Sequence, residues 1–218
     1  MRPFQKIFWN ALKKDLTFFF DNVITGDESW FFQYDPETKL QSNEWHTPQS
    51  PRQKKARMSK SRMKGMLIVF FDKSGVVLSV FVPEGQTVND TFYVEVLKRL
   101  KRRVNRVRPE ISANWKLHHD NAPSHTCFVV TEHLTRNRIV TFPQPPYSPD
   151  LAPADFFLFP KVKTTLQGRH HWTLDDVKRD CTHALKDVSV GDFQGTYEAW
   201  KRHLQKCVHA QGAYFEDY

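Results

Sequence analysis

The 218-residue chain holds no stretch near the roughly 20 consecutive apolar residues that a membrane-spanning helix needs. It has only three cysteines, Cys127, Cys181 and Cys207, far apart and without a C-x-x-C pair. That spacing argues for buried free thiols, not for a disulfide framework or a structural zinc site. There is no glycine-rich phosphate loop, no Ser-His-Asp pattern, no internal repeat and no low-complexity segment. The first residues mix basic and apolar side chains, but Lys13, Lys14 and Asp15 interrupt the apolar region and no small-residue cleavage site follows. This reads as an amphipathic leading helix of a soluble intracellular protein, without membrane partners, and not as a signal peptide.

What the chain does have is aromatic bulk and unevenly placed charge. Eighteen Phe, six Trp and six Tyr supply large core side chains, enough to exclude disorder. The length suits one domain. Of the 32 bases, seven lie in residues 52–64 without an acid: Arg52, Lys54, Lys55, Arg57, Lys60, Arg62 and Lys64. Seven more lie in residues 98–108, again without an acid: Lys98, Arg99, Lys101, Arg102, Arg103, Arg106 and Arg108. The other 18 bases face 24 acids, so the net charge of +8 is local to these two runs. Localised positive charge fits a polyanionic partner. We assign the 52–64 run to DNA, because it is irregular as well as acid-free; it also fits a nuclear localisation signal. The 98–108 run is either a second DNA contact or the solvated face of a core helix.

Periodicity orders the elements. Residues 23–32 read as a strand, residues 35–64 as a long functional loop, and 66–71 with 76–82 as a hairpin. A helix over 88–107 carries Phe92, Val96, Leu100, Val104 and Val107 as its apolar stripe. A strand follows at 115–120, then a helix capped by Ser124 as far as Leu134, and a strand at 139–142. Five prolines stiffen residues 143–153. A helix begins at Pro153 and is interrupted by Pro160. Two more follow, the first opened by a capping box at Thr173. Strand-rich then alternating order predicts an α/β domain with a mixed sheet.

Three carboxylates stand in unusual surroundings. Asp27 lies inside a predicted strand, Asp120 ends another, and Asp155 sits among apolar residues at a helix start. Each alone has an ordinary explanation as a strand-end turn, an Asx turn or a helix-dipole partner. Together they meet the demand of phosphodiester chemistry. Two hard divalent cations roughly 3.5–4 Å apart activate a water and stabilise the leaving oxygen, and magnesium favours carboxylate oxygen. His118, His119 and His125 surround Asp120 and offer a competing, zinc-like set. His118 and His119 are neighbours on a strand, however, so they point to opposite faces and do not easily share one ion.

The segments HDNAPSH (His119–His125), YSPDLAP (Tyr147–Pro153) and VITGDESW (Val23–Trp30) resemble, in order, three motifs of mariner-type DNA transposases. Thirty-four residues separate Asp120 from Asp155, which is the mariner spacing. The likeness runs from about residue 20 to the C-terminus. It implies an RNase H-like mixed sheet flanked by helices, with Asp27, Asp120 and Asp155 as catalytic residues and ligands of two Mg2+ or Mn2+ ions. It implies excision at inverted repeats, joining of 3′ ends at TA targets, and a nuclear protein acting on double-stranded DNA. The loop at 35–64 corresponds to an insertion that clamps DNA and the partner subunit, so a homodimer is implied. The family also carries an N-terminal helix-turn-helix region and a linker. Residues 1–22 read as a leading helix or a remnant of that linker, ahead of a catalytic domain over 23–218. On that expectation the chain is a truncated copy or a fragment, and specific end recognition fails. The alternatives are a truncated or domesticated non-catalytic DNA-binding or dimerising remnant, or a host RNase H-like nuclease, which YSPDLAP disfavours.

Overall fold

β-Branched and aromatic residues mark Val23–Phe32, and this strand, β1, buries Val23 and Phe31 on one face of a central sheet and Ile24 on the other. A computed structural model describes residues 20–39, 41–43 and 58–210; most of the leading helix and the 52–57 part of the basic loop lie outside these. The 66–82 hairpin is present as β2 (Lys64–Asp72) and β3 (Gly75–Phe81). Gly75, at φ 128°, takes the backbone conformation that closes the turn. β4 (Lys116–His118) and β5 (Val140–Phe142) complete a five-stranded sheet in the order β3-β2-β1-β4-β5. β1 pairs antiparallel with β2 and parallel with β4. The sheet is therefore mixed, as the order of elements predicts.

Helices cover both faces. On one, Ile24, Ile68 and Phe70 meet α1 (Asp90–Val107). Asn89 caps α1 through its side chain, 2.9 Å from the Phe92 amide. Its buried stripe is Tyr93, Val94, Val96, Leu97, Leu100 and Val104. Phe92 and Val107, both on the expected stripe, are only half-buried, because the helix is rotated to bring Tyr93 and Leu97 under the sheet. The expected single helix at 124–134 is two pieces, α2 (Pro123–Thr126) and α3 (Phe128–Arg136). Cys127, in extended backbone, breaks it, and Ala122 rather than Ser124 occupies the cap position.

On the other face, Val23, Phe31, Leu67, Val69 and Phe71 pack on α4 (Phe159–Leu166), α5 (Leu174–Lys186) and α6 (Val190–His209). α5 opens with the expected capping box, Thr173 and Asp176 each bonding the other's backbone amide. Trp200 and Tyr197 on α6 are fully buried, and the Tyr197 hydroxyl donates to the Val23 carbonyl at 2.9 Å. The three cysteines are free. Among the described residues no helix is long and apolar enough to cross a membrane.

Candidate active site

β1 and β4 run parallel with Thr25 level with His118. Asp27 and Asp120 each stand two residues further on, so both strands deliver a carboxylate at the same height. Asp27 shares its parity with Val23 and Phe31, which aims it at the α4–α6 face. No side chain fits at the preceding position: a Cβ on Gly26 would come within 2.2 Å of the Phe70 ring. The close approach of β1 to β2 beside Asp27 therefore requires glycine.

Asp155 arrives from a third element. The proline-rich segment winds into a 3-10 turn at Pro149–Leu151, and Leu151, Ala152 and Ala154 are buried. The chain then forms one π-helical stretch, Ala154–Leu158, before α4, which takes Pro160 in its first turn. The interruption expected at Pro160 thus falls before it, and proline is tolerated there because a first-turn amide needs no helical partner. This stretch packs against β1 and leaves Asp155 exposed.

The three acids share one electrostatic field. Burial, then the charges of Asp155, Glu28 and Asp120, push the Asp27 carboxyl up to about 8, against a single opposing bond from the Glu28 amide at 2.7 Å. Burial and Asp120 also raise Asp155. Asp120 goes the other way: its bond to His125, Nδ1 to Oδ1 at 2.6 Å, holds it below the usual carboxylate range. Among the described residues, no three His, Cys, Asp or Glu side chains stand together closely enough to hold a metal ion as they lie. Asp120 is turned toward His125. The donor set nonetheless fits a divalent cation. It consists of hard oxygens with a deficit of positive charge, and a cation between them would relieve the penalty on Asp27.

The histidines divide as strand geometry requires. His118 shares a 2.8 Å hydrogen bond with Thr25 and packs on Trp200. His119 turns to the opposite face and shares one of 2.9 Å with the Tyr93 hydroxyl. Burial pushes each down to about 3, so both are neutral structural groups. His125 differs. Burial opposes its charge, but the bond to Asp120 and the Glu28 carboxylate outweigh this and hold it at about 9. Its Nε2 stands 3.2 Å from Glu28 Oε1, an ion-pair contact without good hydrogen-bond alignment, and its ring stacks on Tyr93 at 3.9 Å. The imidazolium is thus clamped between Asp120 and Glu28, with Tyr93 beneath it. Only the adjacency of His125 and Asp120 was visible in sequence; Glu28 and Tyr93 reach it from 97 and 32 residues away.

This clamp carries a prediction. His125→Ala should cost about 10- to 100-fold in divalent-metal affinity, the usual loss when a partner orienting a ligand is removed. His125→Asn, which keeps a donor near the Nδ1 position, should recover part of it. Unchanged affinity in a folded alanine variant, read by calorimetry, would remove the positioning role.

Of the basic run, Arg52, Lys54, Lys55 and Arg57 lie outside the described residues. Lys60 pairs with Asp35 at 3.2 Å, Lys64 lies 4.0 Å over the Trp30 ring, and Arg62 is exposed. Lys163 on α4 was not singled out in the sequence. It is half-buried over Phe31 and Phe159, lowered by burial and by Lys60, and close enough to Asp155 and Asp27 to feel both.

Residues 35–114 match the family described as Transposase (partial DDE domain). The chain is 34% identical over 203 residues to the Mariner Mos1 transposase of Drosophila mauritiana, covering 91% of this chain and 57% of that protein. It superposes on the crystal structure of the catalytic domain of Mos1 mariner transposase with a TM-score of 0.78 at 28% identity, covering 98% of this chain and 92% of the other. It also superposes on the Mos1 mariner paired end complex with Mn, with a TM-score of 0.84 at 31% identity, covering 98% and 62%. The sheet and its flanking helices thus have the RNase H-like fold of that catalytic domain.

Proposed function

Because the chain belongs to the mariner transposase family and spans its catalytic domain, we propose that it is the phosphoryl-transfer unit of a cut-and-paste DNA transposase. In this reading Asp27, Asp120 and Asp155 hold two Mg2+ or Mn2+ ions, and the substrate is double-stranded DNA at transposon ends and TA targets. The observation that carries it is Asp27, a half-buried carboxyl pushed up to about 8 by burial and by Asp155, beside an Asp120 of opposite behaviour. Structural acids are normally placed to keep their charge; this arrangement stores an unmet demand for cations.

Bound divalent ions supply a more acidic attacking water and neutralise charge on the leaving oxygen. The chain supplies the rest. Asp27 presents its carboxylate from a rigid central strand, and His125 fixes the rotamer of Asp120 through Nδ1. Asp155 stays at the rim, where ligand and substrate enter. Lys163 stands close enough to Asp27 and Asp155 to feel both, and Lys60 close enough to feel Lys163. With Arg62 and Lys64 on the same 58–64 segment they are suited to a DNA backbone that the carboxylates alone would repel. A second copy of the chain is the expected partner, with the loop over 35–64 reaching it, and the nucleus is the expected compartment.

The test is nicking of supercoiled plasmid. The folded chain should nick with Mg2+ or Mn2+ and not in EDTA, and Asp120→Ala should lose the activity. A folded sample that binds DNA and metal but leaves the plasmid intact would replace this reading with the non-catalytic one.

A further inference from the structure

The seven bases of the 98–108 run divide into two sets once their partners are known. Lys98 pairs with Glu95 at 2.6 Å, and Lys101 donates to the Asn137 side chain at 2.7 Å. Arg108 grips the buried Asp72 through two nitrogens, at 2.6 and 3.1 Å. Arg103 donates from Nε to the Val77 carbonyl at 3.1 Å. Lys101, Arg103 and Arg108 hold the helix to its surroundings, and Lys98 is paired within it. Arg99, Arg102 and Arg106 remain, all exposed, and no carboxylate among the described residues is in ion-pair contact with them. All three line one groove of about 520 Å³ with Arg103 and the Val76–Ser79 edge of β3. No acid lines it.

We propose that this groove seats a DNA phosphate strand outside the reacting site, a contact that needs neither the carboxylates nor metal. Positions 99, 102 and 106 recur at three and four residues, so the guanidinium groups stack along one helix face over about 10 Å. That length spans a few successive phosphates of one strand. Each guanidinium offers the planar fork that phosphate oxygens accept. An acidic peptide added as a sixth strand is the competing occupant. It is disfavoured because Arg103 already occupies the Val77 carbonyl, an edge acceptor such a strand would use. The groove lies on the same helix as Tyr93, beginning six residues, or about 9 Å, beyond it, and on the edge of the sheet away from β4. DNA held there is therefore a stretch beside the cleavage site.

The experiment uses the full chain and a 30-base-pair duplex in EDTA, so catalysis does not enter. The combined Arg99→Glu, Arg102→Glu, Arg106→Glu variant should bind at least about 10-fold more weakly. Its plot of log affinity against log salt should be shallower by about 3, near one per lost phosphate contact. Restoring the charge as lysine at the three positions should restore most of the slope. Affinity and slope equal to the parent, with a native melting curve, would overturn the proposal. So would unchanged DNA binding together with loss of a polyglutamate peptide that the parent binds. If the triple variant does not fold, Arg102→Glu alone should flatten the slope by about 1, and an unchanged slope there would overturn it equally. An intact plasmid in the separate nicking assay, with groove binding as expected here, would count against the catalytic reading alone.

Discussion

Asp27→Asn is expected to give a protein that does not nick DNA, yet is more stable than its parent at pH 8 without metal. The activity loss should be at least about 1,000-fold, about 4 kcal/mol of transition-state stabilisation, because a ligand to the catalytic cations is gone. The stability gain follows from the carboxyl held up to about 8 in the folded chain, against an ordinary 3.8. Between these values the unfolded chain has released its proton and the folded chain has not, so folding stability falls as pH rises from about 4 to 8. Each pH unit costs about 1.4 kcal/mol in full. Allowing for solvent screening at a half-buried group, about 2–3 kcal/mol should separate parent and variant at pH 8 and vanish near pH 4. Asparagine keeps the shape and abolishes the titration. Asp120→Ala should be equally inactive but less stable, since it strips the buried His125 imidazolium of its 2.6 Å partner. Opposite signs from two acids of one site distinguish a strained ligand from a supported one. Denaturant melts in EDTA at pH 5 and pH 8 measure both, and an Asp27→Asn protein no more stable than its parent at pH 8 would refute the account.

Divalent-metal affinity should climb steeply with pH. Asp27 must lose its proton before it can donate to a cation, so binding releases that proton. Affinity for Mn2+ is then expected to rise about tenfold per unit between pH 6 and 8, roughly 100-fold in total, and to level off above 8. Asp155, also raised, adds in the same direction. His125, held at about 9, stays charged across this window and contributes little slope there. Calorimetry in buffers of different ionisation enthalpy should count close to one proton released near pH 6.5. An affinity that is flat from pH 6 to 8 would show that Asp27 is not a ligand.

Strands, helix ends and the three acids were legible in sequence because the forces that place them are local. β-Branched and aromatic residues mark β1, a side-chain cap opens α5, and an acid inside an apolar stretch stands out wherever it lies. Partnership was not legible. The 98–108 run is uniform as text, yet four of its bases are bound to Asp72, Val77, Glu95 and Asn137, and three have no ion-pair partner among the described residues. Lys163, Glu28 and Tyr93 carry no pattern that links them to the carboxylates.

From its sequence alone the chain determined which elements form and where each acid falls in them. The tertiary structure alone decided the rotation of α1 onto Tyr93 and Leu97 and the opposite charge states of Asp27 and Asp120. It also decided which arginines face solvent. Periodicity and capping act over one to four residues. A carboxyl's proton affinity and an arginine's freedom depend on neighbours brought together from as far as 128 residues apart, as Asp27 and Asp155 are.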